Sequence, residues 1–376
     1  MKGALDGVKV LDLSRVLAGP YCTMILGDLG AEVIKVEVPE IGDETRKWGP
    51  PFQNDVSAYY LCANRNKKSV TIDLKSETGN QQIKNLIKES DVVINNFKTG
   101  TMKRFGLDYE TLASINEKIV YCSITGFGET GPYKDMPGYD FIIQAMSGLM
   151  SITGNEKSGP QKVGVAMVDV LTGLYANIGI QSALLEREKS GKGQKVDLSL
   201  YDSAVSSLVN IGSNYLMSSH IPERLGNAHA NIVPYQTFTA KDGEMVIAVG
   251  NDPQFKKLCS LMELENLPED SRFQTNPDRV SNRNQLIPLL QKRFLDKTVQ
   301  EWKTLCDAHA IPCGPIQNLA EVYQDPQLQA RDMFVTAEHS TAGEIKMIGS
   351  PIKLSRTPVT LREAPPHLGE HNEEIL

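Results

Sequence analysis

The residues best able to do chemistry are acids standing where one element gives way to the next. Asp169 follows the apolar run Val165-Ala-Met-Val168 and opens a long helical pattern. A carboxylate there has two uses. It can cap the helix, which the pattern alone favours, or it can be a nucleophile kept ionised by the helix N-terminus. Tyr139 and Asp140, within Gly138-Tyr-Asp-Phe-Ile142, are equally open, because a tyrosine beside an aspartate is commoner as a packed, hydrogen-bonded pair than as catalytic machinery. Two basic groups complete the set. Asn64-Arg-Asn-Lys-Lys-Ser69 precedes one strand pattern, and Lys98, Lys103 and Arg104 follow another. Either alone reads as solvated surface charge; together at one rim of a sheet they suit phosphate oxygens, which guanidinium and ammonium groups both satisfy.

Other chemistries lack their sequence signs. The first strand-to-helix turn reads Ser14-Arg-Val-Leu-Ala-Gly-Pro20 and not G-x-G-x-x-G, which disfavours NAD or FAD. Of the six histidines, at 220, 229, 309, 339, 367 and 371, only His367 and His371 stand four apart, and with no further ligand pattern around them no metal site is expected. A Ser-His-Asp hydrolase would carry G-x-S-x-G, and none is present. The six cysteines form no C-x-x-C pair and read as reduced, mostly buried thiols.

The elements that must position these groups alternate in type. Val8 to Leu13 reads as a strand, Tyr21 to Leu29 as a helix and Ala31 to Glu37 as a strand, which together make a βαβ unit. The alternation continues with strands at Val70–Leu74, Asp91–Asn95 and Ile119–Ile124 and helices at Gly79–Glu89 and Tyr109–Asn116. The fold class is therefore α/β, a Rossmann-like parallel sheet whose ligands belong beyond the carboxyl ends of its strands. Val170 to Lys189 reads as one long helix with Leu171, Leu174, Tyr175, Ile178 and Leu185 as its apolar face. Lys195 to Leu200 reads as a strand and Tyr201 to Met217 as a buried helix. Residues 218–234, with Pro222, Gly226 and Pro234, read as a linker. A smaller α+β domain over 235–325 opens with a hairpin of Tyr235–Ala240 and Glu244–Val249. Residues 1–217 form the large domain, completed by 326–376, and beyond about Val322 the chain reads as irregular and proline-rich.

A length of 376 residues suits two domains, and 40% hydrophobic with 23% charged residues is ordinary globular composition. The net charge of −7 argues against general attraction to nucleic acid or anionic membrane. The start of the chain has no apolar signal core, and the apolar runs around Asp169 and Asp202 fall short of a bilayer span. A cytoplasmic location is the expectation.

Several segments taken in order resemble the class III CoA-transferase (CaiB/BaiF) family over nearly the whole chain. They are Leu11-Asp-Leu-Ser-Arg-Val-Leu-Ala-Gly-Pro20, Gly30-Ala-Glu-Val-Ile-Lys-Val-Glu37, Gly42-Asp-Glu-Thr-Arg46, Asn64-Arg-Asn-Lys-Lys-Ser69, Asn95-Asn-Phe97, Gly191-Lys-Gly-Gln194, Ile311-Pro-Cys-Gly-Pro315 and Leu368-Gly-Glu-His371. The resemblance implies ring-shaped subunits interlocked in a homodimer, with acyl-CoA and small carboxylic acids as the partners. It places the family's catalytic aspartate on Asp169, which would carry acyl and then CoA groups through a mixed anhydride and an aspartyl-CoA thioester. Contacts to coenzyme A carry over to Arg15, Val16, Ala18, Ile72, Asp73, Lys75, Asn96, Phe97 and Arg104. Tyr139, Asp140 and Gly250 would support the reaction.

Within the family the likeness is to the succinyl-CoA:glutarate branch, carried by Ser14-Arg-Val-Leu-Ala-Gly-Pro20, Thr45-Arg-Lys-Trp-Gly-Pro-Pro-Phe52, Tyr121-Cys-Ser-Ile-Thr-Gly126 and Ile232-Val-Pro-Tyr-Gln236. A dicarboxylate needs a cation for its far end, and Arg15, Arg46 and Arg224 are the choices. The related α-methylacyl-CoA racemases use a histidine where Tyr139 stands, and tyrosine, with a reference pKa of about 10, is a poor base at neutral pH. Racemase is the second reading, and a non-catalytic CoA-binding protein is the third.

Overall fold

The computed structural model describes residues 2–376. The chain divides into two compact units, Met1–Leu149 with Lys162–Leu208 and Pro326–Leu376, and Met150–Gln161 with Val209–Asp325. Residues 209–217, read above as part of the large domain, and 218–234, read as a linker, thus fall in the second unit.

The first unit is built on six parallel strands: β1 (Lys9–Asp12), β2 (Glu32–Glu37), β3 (Lys68–Thr71), β4 (Val92–Asn95), β5 (Val120–Thr125) and β6 (Lys195–Ser199). Their order across the sheet is β3-β2-β1-β4-β5-β6, and every neighbouring pair is parallel. This is the doubly wound order, in which the chain turns outward in opposite directions from β1 and β4 and leaves a crevice at their carboxyl ends. β4 is buried along its length, as a strand covered on both faces must be. Alternate residues feed two cores: Val10, Val92, Ile94 and Cys122 face one side, and Leu11, Val93 and Tyr121 face the other.

Helices α1 (Ala18–Asp28) and α5 (Met167–Ser190) pack on the first of these cores, and α2 (Glu77–Glu89) and α3 (Tyr109–Ile115) cover the second. Between them in sequence lies α4 (Asp140–Met146). The face of α5 that is buried is not the one expected. Val168, Thr172, Ala176, Ile180 and Leu184 are inside, whereas Leu174, Ile178 and Leu185 are 40%, 61% and 66% exposed. Small residues decide it: a side chain at Gly173 would come within 2.7 Å of the Ala18 carbonyl, so α1 and α5 cross too closely for bulk. The large apolar residues that periodicity selects are left on the opposite face.

The expected helix over Tyr201–Met217 is two helices, α6 (Leu200–Ser206) and α7 (Val209–Ser218), and α7 has no buried residue. In the second unit, β7 (Tyr235–Thr239) and β8 (Glu244–Ala248) pair antiparallel as expected, with β9 (Cys313–Pro315) beside β8. Their core holds Phe238 stacked on Phe294, with the buried Trp302 donating its indole N–H to the Phe294 carbonyl at 2.9 Å. The tail is more regular than its prolines suggest. It contains the hairpin of β10 (Phe334–His339) and β11 (Gly343–Ile348), whose Ile345 and Met347 pack with Leu61 and Ala342.

Candidate active site

The loops after β1 and β4 meet at the crevice. The Arg15 N–H donates to Asn96 Oδ1 at 3.0 Å, and Asn96 Nδ2 donates back to the Arg15 carbonyl at 2.7 Å. The two loops are thereby tied into one wall. Beside them opens a cleft of about 320 Å³, and Arg15, Val16, Ala18, Asn96, Phe97 and Arg104 all line it, as do Tyr139 and Asp169. Its floor requires glycine at two places. A side chain on Gly126 or Gly138 would lie within about 2.7 Å of the other's backbone, so both must lack one for the loops to approach.

Asp169 is the third residue of α5, whose N-cap is Ala166. It does not cap its own helix. Asp140 does so from α4: its Oδ1 accepts from the Val168 N–H at 2.8 Å and from the Asp169 N–H at 3.4 Å. Asp140 is fixed in turn by the buried Gln144, which donates to Asp140 Oδ2 at 2.7 Å and accepts from the Val163 N–H at 2.9 Å. With the cap supplied by another residue, Asp169 faces the cleft. Burial, reinforced by the nearby negative charge of Asp140, pushes its carboxyl up to about 7. The helix end is expected to favour the ionised form; burial and Asp140 work against it. A carboxylate so raised is a stronger base and a better nucleophile once ionised.

Sequence reasoning missed Lys134, which lines the cleft, and Tyr59, which does not line it but lies near enough to Asp169 to feel its charge. Burial and then Asp169 push the Tyr59 hydroxyl up to about 12, and its ring meets Trp48 edge-on at 5.1 Å. Lys98 also lines the cleft.

Other expected site residues lie elsewhere. Ile72 is buried and lines a smaller hollow with Leu13, Ser14, Arg15 and Phe97. Asp73 accepts the Lys75 N–H at 3.0 Å, and both residues are exposed outside the cleft. Gly250 belongs to the second unit, where its N–H donates to Gln254 Oε1 at 2.9 Å. Arg224 also lies there and donates to the Ser151 carbonyl at 3.3 Å.

Two expectations are overturned. Arg46 is not available to a substrate carboxylate, because its guanidinium is bidentate on Glu37 at 2.7 and 2.8 Å, contacts Tyr60 Oη at 2.6 Å and lies 3.8 Å from the centre of that ring. The run Asn64–Ser69 is not a phosphate rim. Arg65 and Lys67 are 5% and 1% exposed. Arg65 pairs with Asp28 at 2.6 Å and Lys67 with Asp12 at 3.2 Å, while Asn66 donates to Asp28 at 2.7 Å. Their partners are acids on other elements, invisible to a local count of charge. Burial, which outweighs the attraction of Asp12, lowers the Lys67 ammonium to about 8.

This chain belongs to CoA-transferase family III, whose family model matches residues 5–372. It is an enzyme of the CoA-transferase class. It is 44% identical over 381 aligned positions to a succinate–glutarate CoA-transferase of Agrobacterium fabrum, covering 100% of this chain and 95% of the relative. It is 45% identical over 372 positions to the succinyl-CoA:glutarate CoA-transferase of Homo sapiens, covering 99% of this chain and 85% of that one. A crystal structure of a CaiB/BaiF family protein from Brucella suis superposes with a TM-score of 0.87 at 46% identity, over 100% of this chain and 99% of the other.

Proposed function

We propose that this enzyme moves CoA from succinyl-CoA, or another small dicarboxylyl-CoA, to a second carboxylic acid, with Asp169 as the covalent carrier. The observation that carries the reading is the freedom of Asp169: a partly buried carboxylate at a helix start, relieved of capping by Asp140 and lining the same cleft as Arg15, Asn96 and Phe97. Succinyl and glutarate substrates are supported by the names of relatives at 44–45% identity across the whole chain.

In this reading the ionised Asp169 attacks the thioester carbonyl, and the carbon–sulfur bond breaks to release CoA thiolate. The acyl group is then held as a mixed anhydride. Thiolate attacks the aspartyl carbonyl, expelling the donor carboxylate and leaving Asp169 as a CoA thioester. The acceptor carboxylate attacks that thioester and releases thiolate again. Thiolate attack on the acceptor's carbonyl frees Asp169 and the new acyl-CoA. Charge is conserved at every step, and no proton needs to move. Lys98, Lys134 and Arg104 give the cleft wall the positive charge that phosphates and carboxylates need, while the Arg15 guanidinium is paired with Glu44. The subunits pair as homodimers, consistent with the exposed Leu174, Ile178 and Leu185 on α5.

The test is a transfer assay with succinyl-CoA as donor and a panel of mono- and dicarboxylates as acceptors. Formation of glutaryl-CoA or a similar dicarboxylyl-CoA faster than any monocarboxylyl-CoA is expected. Equal rates with all acids would refute the dicarboxylate assignment.

A further inference from the structure

Val16 has a φ of +69°, in the left-handed region that a β-branched side chain avoids for steric reasons. Such a conformation persists only where its surroundings hold it. The strand before it ends at Asp12 and the helix after it begins at Ala18, so no regular element imposes this angle. Asp43 does. The Val16 N–H lies 3.2 Å from each of the two Asp43 carboxylate oxygens.

Asp43 is itself fixed on every side. It accepts from Lys35 Nζ at 2.9 Å and from the Thr45 N–H and hydroxyl at 3.0 and 2.7 Å, and its own N–H donates to Glu37 Oε1 at 2.9 Å. The Lys35 and Asp43 side chains are 0% and 1% exposed. Burial works to raise the Asp43 carboxyl, but Lys35 and Thr45 outweigh it and hold the group at about 2, so it remains an acceptor at any pH of interest. Lys35 also donates to the Ser14 carbonyl at 3.0 Å, and Arg15 is pinned by Asn96. Three consecutive residues of one loop at the cleft are thus anchored, Ser14 and Val16 by buried side chains and Arg15 by the neighbouring loop.

We propose that Asp43 is a positioning residue for the CoA thioester: through the Val16 N–H, and steadied by Lys35, it holds the loop Ser14–Leu17 in its binding shape before the ligand arrives. The proposal rests on the cleft being the CoA site. A loop already shaped loses less freedom on binding, and that saving appears as affinity. Asp43 does not touch the reacting atoms.

The test is the affinity for CoA, by titration calorimetry, of the wild type, Val16→Gly, Asp43→Ala and the double variant. Glycine takes a positive φ without steric penalty, so it needs no clamp. Asp43→Ala is expected to weaken CoA binding about tenfold or more beside Val16, and about threefold or less in the Val16→Gly background. Equal weakening in both backgrounds, or none in either, overturns the proposal, since a purely structural role would not depend on residue 16. Removing Asp43 leaves the buried Lys35 short of a partner. Lys35→Met with Asp43→Ala is therefore taken through the same comparison, with thermal melts to establish that each variant is folded. A wild type that binds no CoA overturns the CoA reading and this proposal with it; a wild type that binds, with equal losses in both backgrounds, overturns the proposal alone.

Discussion

Replacing Asp169 by asparagine should make the protein more stable at pH 8, although it removes the proposed nucleophile. The reasoning is one of linkage. In the unfolded chain the Asp169 carboxyl titrates near 3.8, and in the folded protein burial and Asp140 raise it to about 7. The unfolded state therefore ionises first as pH rises. Folding is penalised progressively above pH 4, and the penalty is complete just above pH 7. At about 1.4 kcal/mol for each tenfold change, the ceiling is about 4 kcal/mol. Asp169 lines an open cleft, so water screens part of this and the expected value at pH 8 is roughly 2 kcal/mol. The asparagine side chain carries no charge at any pH and keeps the shape of the protonated acid. Urea denaturation of both proteins between pH 4 and pH 8 measures the gap, which should shrink as pH falls through 7 and vanish near pH 4. An Asp169→Asn protein less stable than wild type at pH 8, or a gap that does not change with pH, would refute the reasoning.

Three further outcomes are expected. Asp140→Asn keeps an oxygen for the α5 cap but removes the like charge, so the acidic limb of the pH–rate profile should move to lower pH by about 1; an unmoved limb would show that burial alone sets Asp169. Arg46→Ala leaves Glu37 buried without its partner and should cost about 3 kcal/mol of stability in urea with acceptor preference unchanged. A shift in acceptor preference at full stability would restore Arg46 to the site. Lys134→Met should raise KM for an anionic substrate roughly tenfold with kcat nearly constant, the pattern of a group that binds ground state and transition state alike; an unchanged KM would remove Lys134 from the site.

Much of the fold was legible because its determinants are local. The apolar runs around Val10, Val70 and Val92, each followed by a helical pattern, specify a parallel sheet, and that class places ligands beyond the carboxyl ends of the strands; that β1 and β4 frame the crevice follows only from the strand order. Arg15 and Asn96, 81 residues apart, meet there. What was not legible depends on pairing across the chain. The charge of Lys67 reads as solvent-facing until Asp12 is found behind it, and Arg46 reads as free until Glu37 and Tyr60 enclose it. The face of α5 was misjudged for a related reason, since Gly173 is selected by the closeness of α1 and not by hydrophobicity. At Asp169 the pattern offered cap or nucleophile, and only the position of Asp140 separates the two.

The account depends most on a covalent bond to Asp169 during turnover. Enzyme mixed with succinyl-CoA, quenched with borohydride or hydroxylamine and digested for mass spectrometry should yield the peptide containing Asp169 altered at that side chain, reduced to the alcohol or converted to the hydroxamate. Rapid CoA transfer under the same conditions, with that peptide unmodified at every quench time, would contradict it.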